Sequence, residues 1–440
     1  MLALSLFAAG LALAPPAHAG PKLTLDQVMA KALASPKVQM AQGDAGAAEA
    51  RLDEANAARL PKIKATLFGT ISPNIECVDP PQCAMTEPQN FAFDFSGLFG
   101  SAQIEVTQPL YTFGKITHAR NAARAGVDAQ RALADEAAGD VAVDAARAYW
   151  GVKLAREMGY MLDDGIEEIG KAVARMEERK GKDAPSVQDR QRVAVLLAEA
   201  KVQRADAAAG ERQALAGLRA LTGIADADVD DEPLVAVEHK LPAVARGETR
   251  PQALAARQGA TAADELAAMQ ASYYFPDLAI VGSAAFARAQ GVDDPPSAFA
   301  NDPFNRQTGA VVLAVQWNIE PWNVAARVAK ARAEAKKARA QSELALLGAA
   351  YDAEQALADA TGAKTKLEAS TDGEKAARAW VASVLQADAI GTAEAKDLAD
   401  AYLAWFQMRA RWAQSAFQWN VAVVRLGRAG GEFRAAGHRP

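Results

Sequence analysis

The last third of the chain has a pattern of apolar and polar residues that predicts very long helices. No proline occurs from Trp322 to about Gly430, and residues that favour helices dominate this stretch. Its one clear break is Ile390-Gly391-Thr392, where glycine would end one helix and Thr392 would cap the next. The 68 residues from Trp322 to Ala389 correspond to about 100 Å of helix. Helices of compact soluble domains average about 11–12 residues, so the pattern favours a long helical hairpin.

Four short segments alternate between apolar and polar residues, as strands with one apolar face do. Their apolar positions are Ile63, Ala65, Leu67 and Ile71; Ala102, Ile104 and Val106; Leu278, Ile280, Ala284 and Phe286; and Val311, Leu313, Val315, Trp317 and Ile319. Residues that break strands predict loops at 72–100 and 289–307. Transmembrane strands alternate in this way. A half-buried strand of a soluble sheet does so too, and alternation alone does not separate the two.

The same order of elements is predicted twice. Pro36 to Pro61 and Pro251 to Pro276 each span 25 residues of alanine-rich helix that end at a proline and a strand. Pro109 lies 72 residues before Gly181, and Pro321 lies 70 residues before Gly391. An internal duplication explains these spacings. We therefore expect a first repeat at 20–223, a connector with little helix at 224–250, a second repeat at 251–430 and a C-terminal tail at 431–440.

The number of predicted strands itself indicates an assembly. Strands that span a membrane form closed barrels of eight or more, and this chain supplies four. Two or three copies would therefore have to share one barrel. The final helix also has a seam with steps of three and four residues, typical of packing between helices. The seam consists of Ala401, Trp405, Met408, Trp412, Ser415, Trp419, Ala422 and Leu426.

The start of the chain predicts export. Residues 2–14 are uncharged and mostly apolar, and Ala17-His18-Ala19 before Gly20 fits a signal-peptidase site, so residues 1–19 are predicted to be a signal peptide. Beyond Ala19 the sequence predicts no transmembrane helix, because it has no apolar stretch of about 18 residues. In an exported chain, Cys77 and Cys83 predict a local disulfide.

Charge and motifs argue against several classes of function. The formal net charge of −6 and the pI near 5.5 argue against a nucleic-acid partner. The sequence has no glycine-rich phosphate loop, no cluster of histidine or cysteine ligands and no nucleophile elbow. We therefore predict that the protein is not an enzyme and has no cofactor and no metal site.

The whole mature chain resembles the TolC family of outer-membrane efflux and secretion channels. In the first half, the residues that carry this resemblance are Leu23-Thr24-Leu25-Asp26-Gln27-Val28, Ala34-Ser35-Pro36, Leu60-Pro61 and Gln108-Pro109-Leu110-Tyr111. In the second half they are Arg250-Pro251, Phe275-Pro276-Asp277-Leu278 and Gly391-Thr392. Each motif is short, but the order and spacing of the set in both halves are specific.

The resemblance implies a mainly helical fold with a small β part. Three chains, each with four strands, would form a 12-stranded outer-membrane barrel, continued by a periplasmic α-barrel of helical hairpins. The turns at Gly181, Gly391 and Thr392 would be the tips that meet a periplasmic membrane-fusion adaptor. The adaptor would link the duct to an inner-membrane transporter of the RND, ABC or MFS type. The protein would lie in the outer membrane of a Gram-negative bacterium, with outer-membrane lipid around its strands and most of its mass in the periplasm.

The resemblance also implies a channel constriction formed by aspartates. Asp397 and Asp400 follow the turn glycine by six and nine residues, as the constricting aspartates of the family do. In a trimer they would form two rings of carboxylates that favour cations. In the first repeat, Asp189 follows Gly181 by eight residues, so its assignment to the constriction is the weaker one. Asp388 and Ala393 stand where family members often have a latch of tyrosine and arginine, which predicts a different closed state.

A non-channel protein is the alternative interpretation. A periplasmic helical scaffold or adaptor would have long hairpins as well, and the apolar faces of its strands would pack on an internal core. An adaptor normally has one hairpin, whereas this sequence predicts two matched hairpins. The channel is therefore the leading hypothesis.

Overall fold

The computed structural model describes residues 20–77, 91–178, 186–289, 305–390 and 395–435, and helices make up most of it. The strands are β1 (Lys22–Leu23), β2 (Lys62–Cys77), β3 (Phe91–Tyr111), β4 (Asp228–Val229), β5 (Asp277–Ala289) and β6 (Arg306–Gln316). The helices are α1 (Leu25–Leu33), α2 (Pro36–Ala57), α3 (Lys115–Glu178), α4 (Val187–Thr222), α5 (Pro251–Ser272), α6 (Pro321–Ala389) and α7 (Ala395–Gly430). The predicted fold class, mainly helical with a small β part, is confirmed.

The N-terminal helical run is interrupted once. The sequence predicts continuous helix from Leu23 to Leu60, and this is wrong because α1 ends at Leu33 and α2 begins at Pro36. Proline lacks a backbone N–H and suits the first position of a helix, not its interior. Thr24 caps α1: its hydroxyl accepts from the backbone N–H of Gln27, and the Gln27 side chain accepts from the N–H of Thr24.

The long helices begin and end close to the predicted residues. The predicted helix from Trp322 to Ala389 is α6, which has 69 residues, and α3 has 64. Each is followed by a helix of 36 residues, α4 or α7. The order helix, strand, strand, long helix, shorter helix therefore occurs twice, although the duplication itself stays a prediction. No helix within the described ranges is long and apolar enough to cross a membrane.

The buried side of α6 follows a seven-residue repeat along most of the helix. Eight buried positions lie at multiples of seven residues from one another: Val328, Ala335, Ser342, Ala349, Ala363, Ser370, Ala377 and Val384. A strict repeat of seven residues keeps one seam facing a neighbouring helix if the helices supercoil with a left hand. Six of the eight side chains are alanine or serine, which allows helix axes to approach closely.

Four strands form one antiparallel sheet in the order β2-β3-β5-β6. The predicted loop at 72–100 is too long, because β2 extends to Cys77 and β3 begins at Phe91. Pairing continues through a bulge between Ser72 and Asn74, where Pro73 does not have to donate a hydrogen bond. The fourth strand ends at Gln316, three residues before the predicted end.

Contacts divide the chain into two compact units. One unit comprises Met1–Gly43, Arg131–Leu254 and Ala345–Pro440, and the other comprises Asp44–Gln130 and Ala255–Leu344. The core of the first unit is a cluster of small and medium side chains that includes Ala138, Val141 and Val152 of α3 and Ala413 and Ala416 of α7. The second unit contains the four-stranded sheet.

The connector at 224–250 has little regular structure, as predicted. All of it is described, and its one regular element is β4, which pairs in parallel with β1. Asn420 of α7 is fully buried, and its side chain makes two hydrogen bonds to the backbone of the extended connector. Its amide donates to the carbonyl of Val235 at 2.8 Å, and its side-chain oxygen accepts from the N–H of Val237 at 2.9 Å. Helix α7 thus holds the connector by its backbone.

Candidate functional site

One face of the four-stranded sheet is apolar and exposed. Directly paired residues of antiparallel strands lie on the same face, and the pairing aligns apolar side chains across all four strands. The rows are Ile63, Val106, Gly282 and Val311; Ala65, Ile104, Ala284 and Gly309; and Leu67, Ala102, Phe286 and Gln307. Leu67 is 76% exposed and Val311 is 78% exposed. The predicted alternation is therefore confirmed as a continuous apolar face.

The opposite face of the sheet is more polar, although it also bears Phe68, Val281 and Val312. One row consists of Lys64, Glu105, Ser283 and Ala310, and the next consists of Thr66, Gln103, Ala285 and Thr308. The sheet therefore separates an apolar side from a side that suits water. Contiguous exposed apolar surface of this extent marks contact with a membrane or with another protein.

Both outer strands of this sheet have an open edge. Of the described strands, β2 pairs with β3 alone and β6 pairs with β5 alone. Open edges present unpaired backbone groups and are rarely left so in water. A strand from another copy of the chain is the simplest group that could cover them.

Two of the predicted constriction residues lie at the start of α7. Asp397 is in the first turn, Asp400 follows three residues later, and both are exposed. Residues three apart on a helix are neighbours on its surface, so the two carboxylates lie on one side of α7. A position near a helix N-terminus also stabilises negative charge.

Apolar packing fixes the beginning of α7 against α6. Ala401 is fully buried and lies in a cluster with Val381 and Val384 of α6. One turn later, the indole N–H of Trp405 donates to Glu374 at 3.1 Å. These contacts determine which side of α7 is covered. The predicted seam of α7 is confirmed as a packing surface, because all of its residues are buried or half-buried.

The other predicted site residues are only partly described. Asp189 lies in the first turn of α4, as Asp397 does in α7, but only its backbone is described. Gly181, Gly391, Thr392 and Cys83 lie outside the described residues, and Cys77 is the last residue of β2. The helix tips and the disulfide stay predictions.

A polar network joins α7 to the two long helices. Arg409 donates to Glu157 of α3 from Nη2 at 2.8 Å and from Nε at 3.3 Å. The guanidinium also lies 5.8 Å from the ring centroid of Trp405, whose indole binds Glu374 of α6. Four side chains thus connect three helices, α3, α7 and α6.

An ion cluster that the sequence did not reveal attaches the connector to α3. Lys153 of α3, whose side chain is 5% exposed, pairs with Asp230 and donates to the carbonyl of Glu232 at 2.7 Å. The Tyr149 hydroxyl donates to Asp230 at 2.6 Å. Burial alone would raise the pKa of Asp230, but the hydrogen bonds from Lys153 and Tyr149 outweigh it and lower that pKa. Burial, reinforced by Asp230, raises the pKa of Tyr149.

Two further ion pairs continue this cluster. Arg156 binds Glu211 of α4 and Asp228 of β4, each at 2.7 Å. Burial acts to lower the pKa of Arg156, but its two carboxylate partners raise that pKa. The sequence showed that the connector is acidic, and its cationic partners more than 70 residues away carry no local signal.

A second ion cluster holds the start of α5. Arg250, the residue before α5, is buried and donates to Glu136 of α3 at 2.9 Å; it also pairs with Asp352 of α6. Arg428 near the end of α7 binds Glu136 at 2.7 Å and Asp140 at 2.6 Å. The connector is thus fixed by ion pairs at both of its ends.

Comparison with known proteins identifies the fold. Residues 29–224, just under half of the chain, match the family model described as outer membrane efflux protein. The chain is similar in structure to the CmeC outer membrane channel of Campylobacter jejuni, with a TM-score of 0.74, 16% identity and coverage of 94% of this chain and 87% of that one. No curated protein sequence matches the chain.

Two further solved outer-membrane proteins are similar in structure to this chain. The outer membrane protein VceC of Vibrio cholerae has a TM-score of 0.72 at 16% identity, covering 92% of this chain and 96% of its own. The open state of the MtrE outer membrane channel of Neisseria gonorrhoeae has a TM-score of 0.72 at 18% identity, covering 92% and 88%. This chain has the fold of a TolC-like outer-membrane channel. The resemblance predicted from the sequence is confirmed.

Proposed function

We propose that this TolC-like chain is the exit duct of a tripartite efflux or type I secretion system. It would conduct substrates passively from an inner-membrane pump and its periplasmic adaptor to the outside of a Gram-negative bacterium. The exposed apolar face of an open four-stranded sheet carries this proposal. Such a sheet is unfavourable in water and is suited to a closed barrel in lipid.

Three copies of the chain would provide pairing partners for the unpaired strand edges. Pairing of β6 with β2 of the next copy would close the sheet, and three chains with four strands each give 12 strands, an even number within the bacterial range. The polar row of Lys64, Glu105 and Ser283 would then face an aqueous lumen, and the apolar rows would face lipid.

An exposed stripe on α4 supports the same assembly. Val195, Ala198, Val202, Ala205 and Ala209 are all exposed and follow alternating steps of three and four residues. This spacing is that of a coiled-coil seam, and a helix pattern of this kind usually packs against another helix. Helix α6 likewise exposes Leu347 and Tyr351, four residues apart, at 70% and 66%. We expect helices of a second copy to pack on both of these exposed surfaces.

Asp397 and Asp400 would constrict the periplasmic entrance. In a trimer each residue forms a ring of three carboxylates, and such rings attract cations and repel anions. Asp189 would add to this acidic entrance from the α3–α4 hairpin, and the tips around Gly181, Gly391 and Thr392 would contact the adaptor.

Single-channel recording of the detergent-extracted protein in planar bilayers tests this function. The wild type is expected to show discrete cation-selective openings that multivalent cations block. The double variant Asp397→Ala/Asp400→Ala is expected to conduct more or to lose selectivity and block. Asp163→Ala is the matched control, because Asp163 is an exposed α3 carboxylate paired with Arg204.

The outcomes separate the parts of the proposal. Conductance that is the same in the double variant and the wild type would place the constriction elsewhere and leave the duct intact. Folded protein that never inserts or conducts would exclude the duct and favour a periplasmic scaffold.

A further inference from the structure

The apolar face of the sheet has a shallow depression whose described lining includes an arginine. It has a volume of about 730 Å³ and lies over β2, β3 and β5. Leu67, Leu98 and Phe286 provide apolar walls, and Arg288 is the one charged residue among the described residues that line it. The rest of the described lining is Phe68, Gly69, Gly100, Ser101 and Ala102, so the depression is a shallow, mostly apolar groove that includes a guanidinium.

Two glycines create the depression. Gly69 pairs with Gly100, and Gly100 pairs with Arg288, so the three residues form one row across the sheet. A Cβ atom at Gly100 would meet nothing within 4 Å. No crowding within the described chain therefore requires glycine there, and the missing side chains leave a notch beside Arg288.

Arg288 lies at the height expected for the outer membrane surface. Leu278, the first residue of the apolar face on β5, follows Asp277, which accepts a hydrogen bond from Lys115 at 2.8 Å. Ten residues along the strand separate Leu278 from Arg288, about 34 Å at a rise of about 3.4 Å per residue. A tilt of about 40° reduces this to about 26 Å along the barrel axis, close to the apolar band of about 25 Å in bacterial barrels.

We propose that this groove binds a phosphate-bearing lipid of the outer leaflet. An acyl chain would lie on Leu67, Leu98 and Phe286, and the lipid phosphate would accept hydrogen bonds from Arg288. The planar guanidinium matches phosphate geometry and is the preferred side chain for such contacts. This inference rests on the proposed function, because it requires the apolar face to lie against the membrane.

Titration of the purified trimer with lipid A, followed by native mass spectrometry, tests the site. Arg288→Gln is expected to weaken binding about tenfold or more, because a hydrogen bond to a charged group is lost. Gly100→Leu is expected to weaken it by a similar factor by filling the notch. Arg306→Gln is the matched control, because Arg306 pairs with Ala287 and so lies on the opposite face of the sheet. This variant is expected to bind lipid A as tightly as the wild type does.

Two additional probes distinguish a lipid from a free anion. Dephosphorylated lipid A is expected to bind the wild type as weakly as lipid A binds Arg288→Gln, and millimolar inorganic phosphate is expected not to compete. Equal lipid A binding by the wild type, Arg288→Gln and Gly100→Leu would overturn the inference, and so would competition by inorganic phosphate.

Conductance of the same preparations separates the two proposals. A wild type that conducts without preferring phosphorylated lipid would refute the lipid site alone. A wild type that neither inserts nor conducts would overturn the duct and the lipid site together.

Discussion

Lys153→Met is predicted to loosen the connector strongly, because it removes the buried partner of Asp230. The Lys153 side chain is 5% exposed and that of Asp230 is 18% exposed, so little water is available to replace the ammonium. Breaking a buried pair by removing one partner costs about 3–5 kcal/mol. The lower end, about 3 kcal/mol, applies here because Tyr149 still donates to Asp230.

Lys22→Met provides a matched control in the same acidic segment. Lys22 pairs with Asp231, but these side chains are 49% and 72% exposed, and exposed pairs contribute at most about 1 kcal/mol. The two variants remove the same charge from neighbouring aspartates and differ in burial. Any difference between them therefore measures the effect of burial.

Hydrogen exchange of the detergent-solubilised protein measures the predicted effect locally. The N–H groups of Asp228 and Asp230 donate to the carbonyls of Pro21 and Leu23, and their exchange reports opening of the connector. A loss of about 3 kcal/mol corresponds to exchange about 100-fold faster. Equal exchange in Lys153→Met and the wild type, or equal acceleration in Lys22→Met, would refute the assigned role of burial.

The pH dependence of the same amides tests the charge on Asp230. Since the folded-state pKa of Asp230 is lowered, its contribution to stability is present above the unfolded pKa near 4 and is lost as pH falls through the folded pKa. Wild-type protection, corrected for intrinsic exchange, is therefore expected to hold from pH 7 to about 4. Lys153→Met removes one of the hydrogen bonds that lower this pKa, so the pH dependence of protection in the variant should differ from that of the wild type. Identical pH profiles for the two proteins would contradict this assignment.

Two further predictions concern packing. Gly247→Ala should destabilise the protein, because its Cβ would lie 2.2 Å from the backbone oxygen of Ala349. The control Gly210→Ala in α4 meets nothing within 4 Å and should stabilise its helix by up to about 1 kcal/mol. The midpoint of thermal unfolding should therefore fall in the first variant and rise in the second, and a stable Gly247→Ala variant would disprove the close approach. Val202→Glu should shift the proposed trimer towards monomers in sedimentation analysis, whereas the adjacent Gln203→Glu should not. An intact Val202→Glu trimer would show that the α4 stripe is not an interface.

Local signals predicted the helices well. Proline begins α5 and α6, and the predicted break after Ala389 coincides with the end of α6. These boundaries depend on proline geometry and on local composition, and both can be read from a short stretch of sequence. The break before Pro36 was missed.

Long-range pairing explains what the sequence did not reveal. Strands β1 and β4 have two residues each and lie about 200 positions apart in the chain, so neither has a periodic pattern. The extensions of β2 and β3 depend on backbone hydrogen bonds, which form regardless of side-chain alternation. The Lys153–Asp230 pair joins ordinary charged residues, and only the fold brings them together. Rings of aspartates would be a property of several chains, so one sequence specifies their residues but not their spacing.

The seven-residue repeat of α6 also makes the length of the helix adjustable in steps. Inserting one heptad into α6 and one into α7 would extend the hairpin by about 10 Å and return every seam residue to its original side. Inserting a single residue would rotate all following positions by about 100° and turn charged side chains into the seam. Chains with this architecture can therefore change the length of the hairpin by gaining or losing whole heptads, while their strands and connector stay the same.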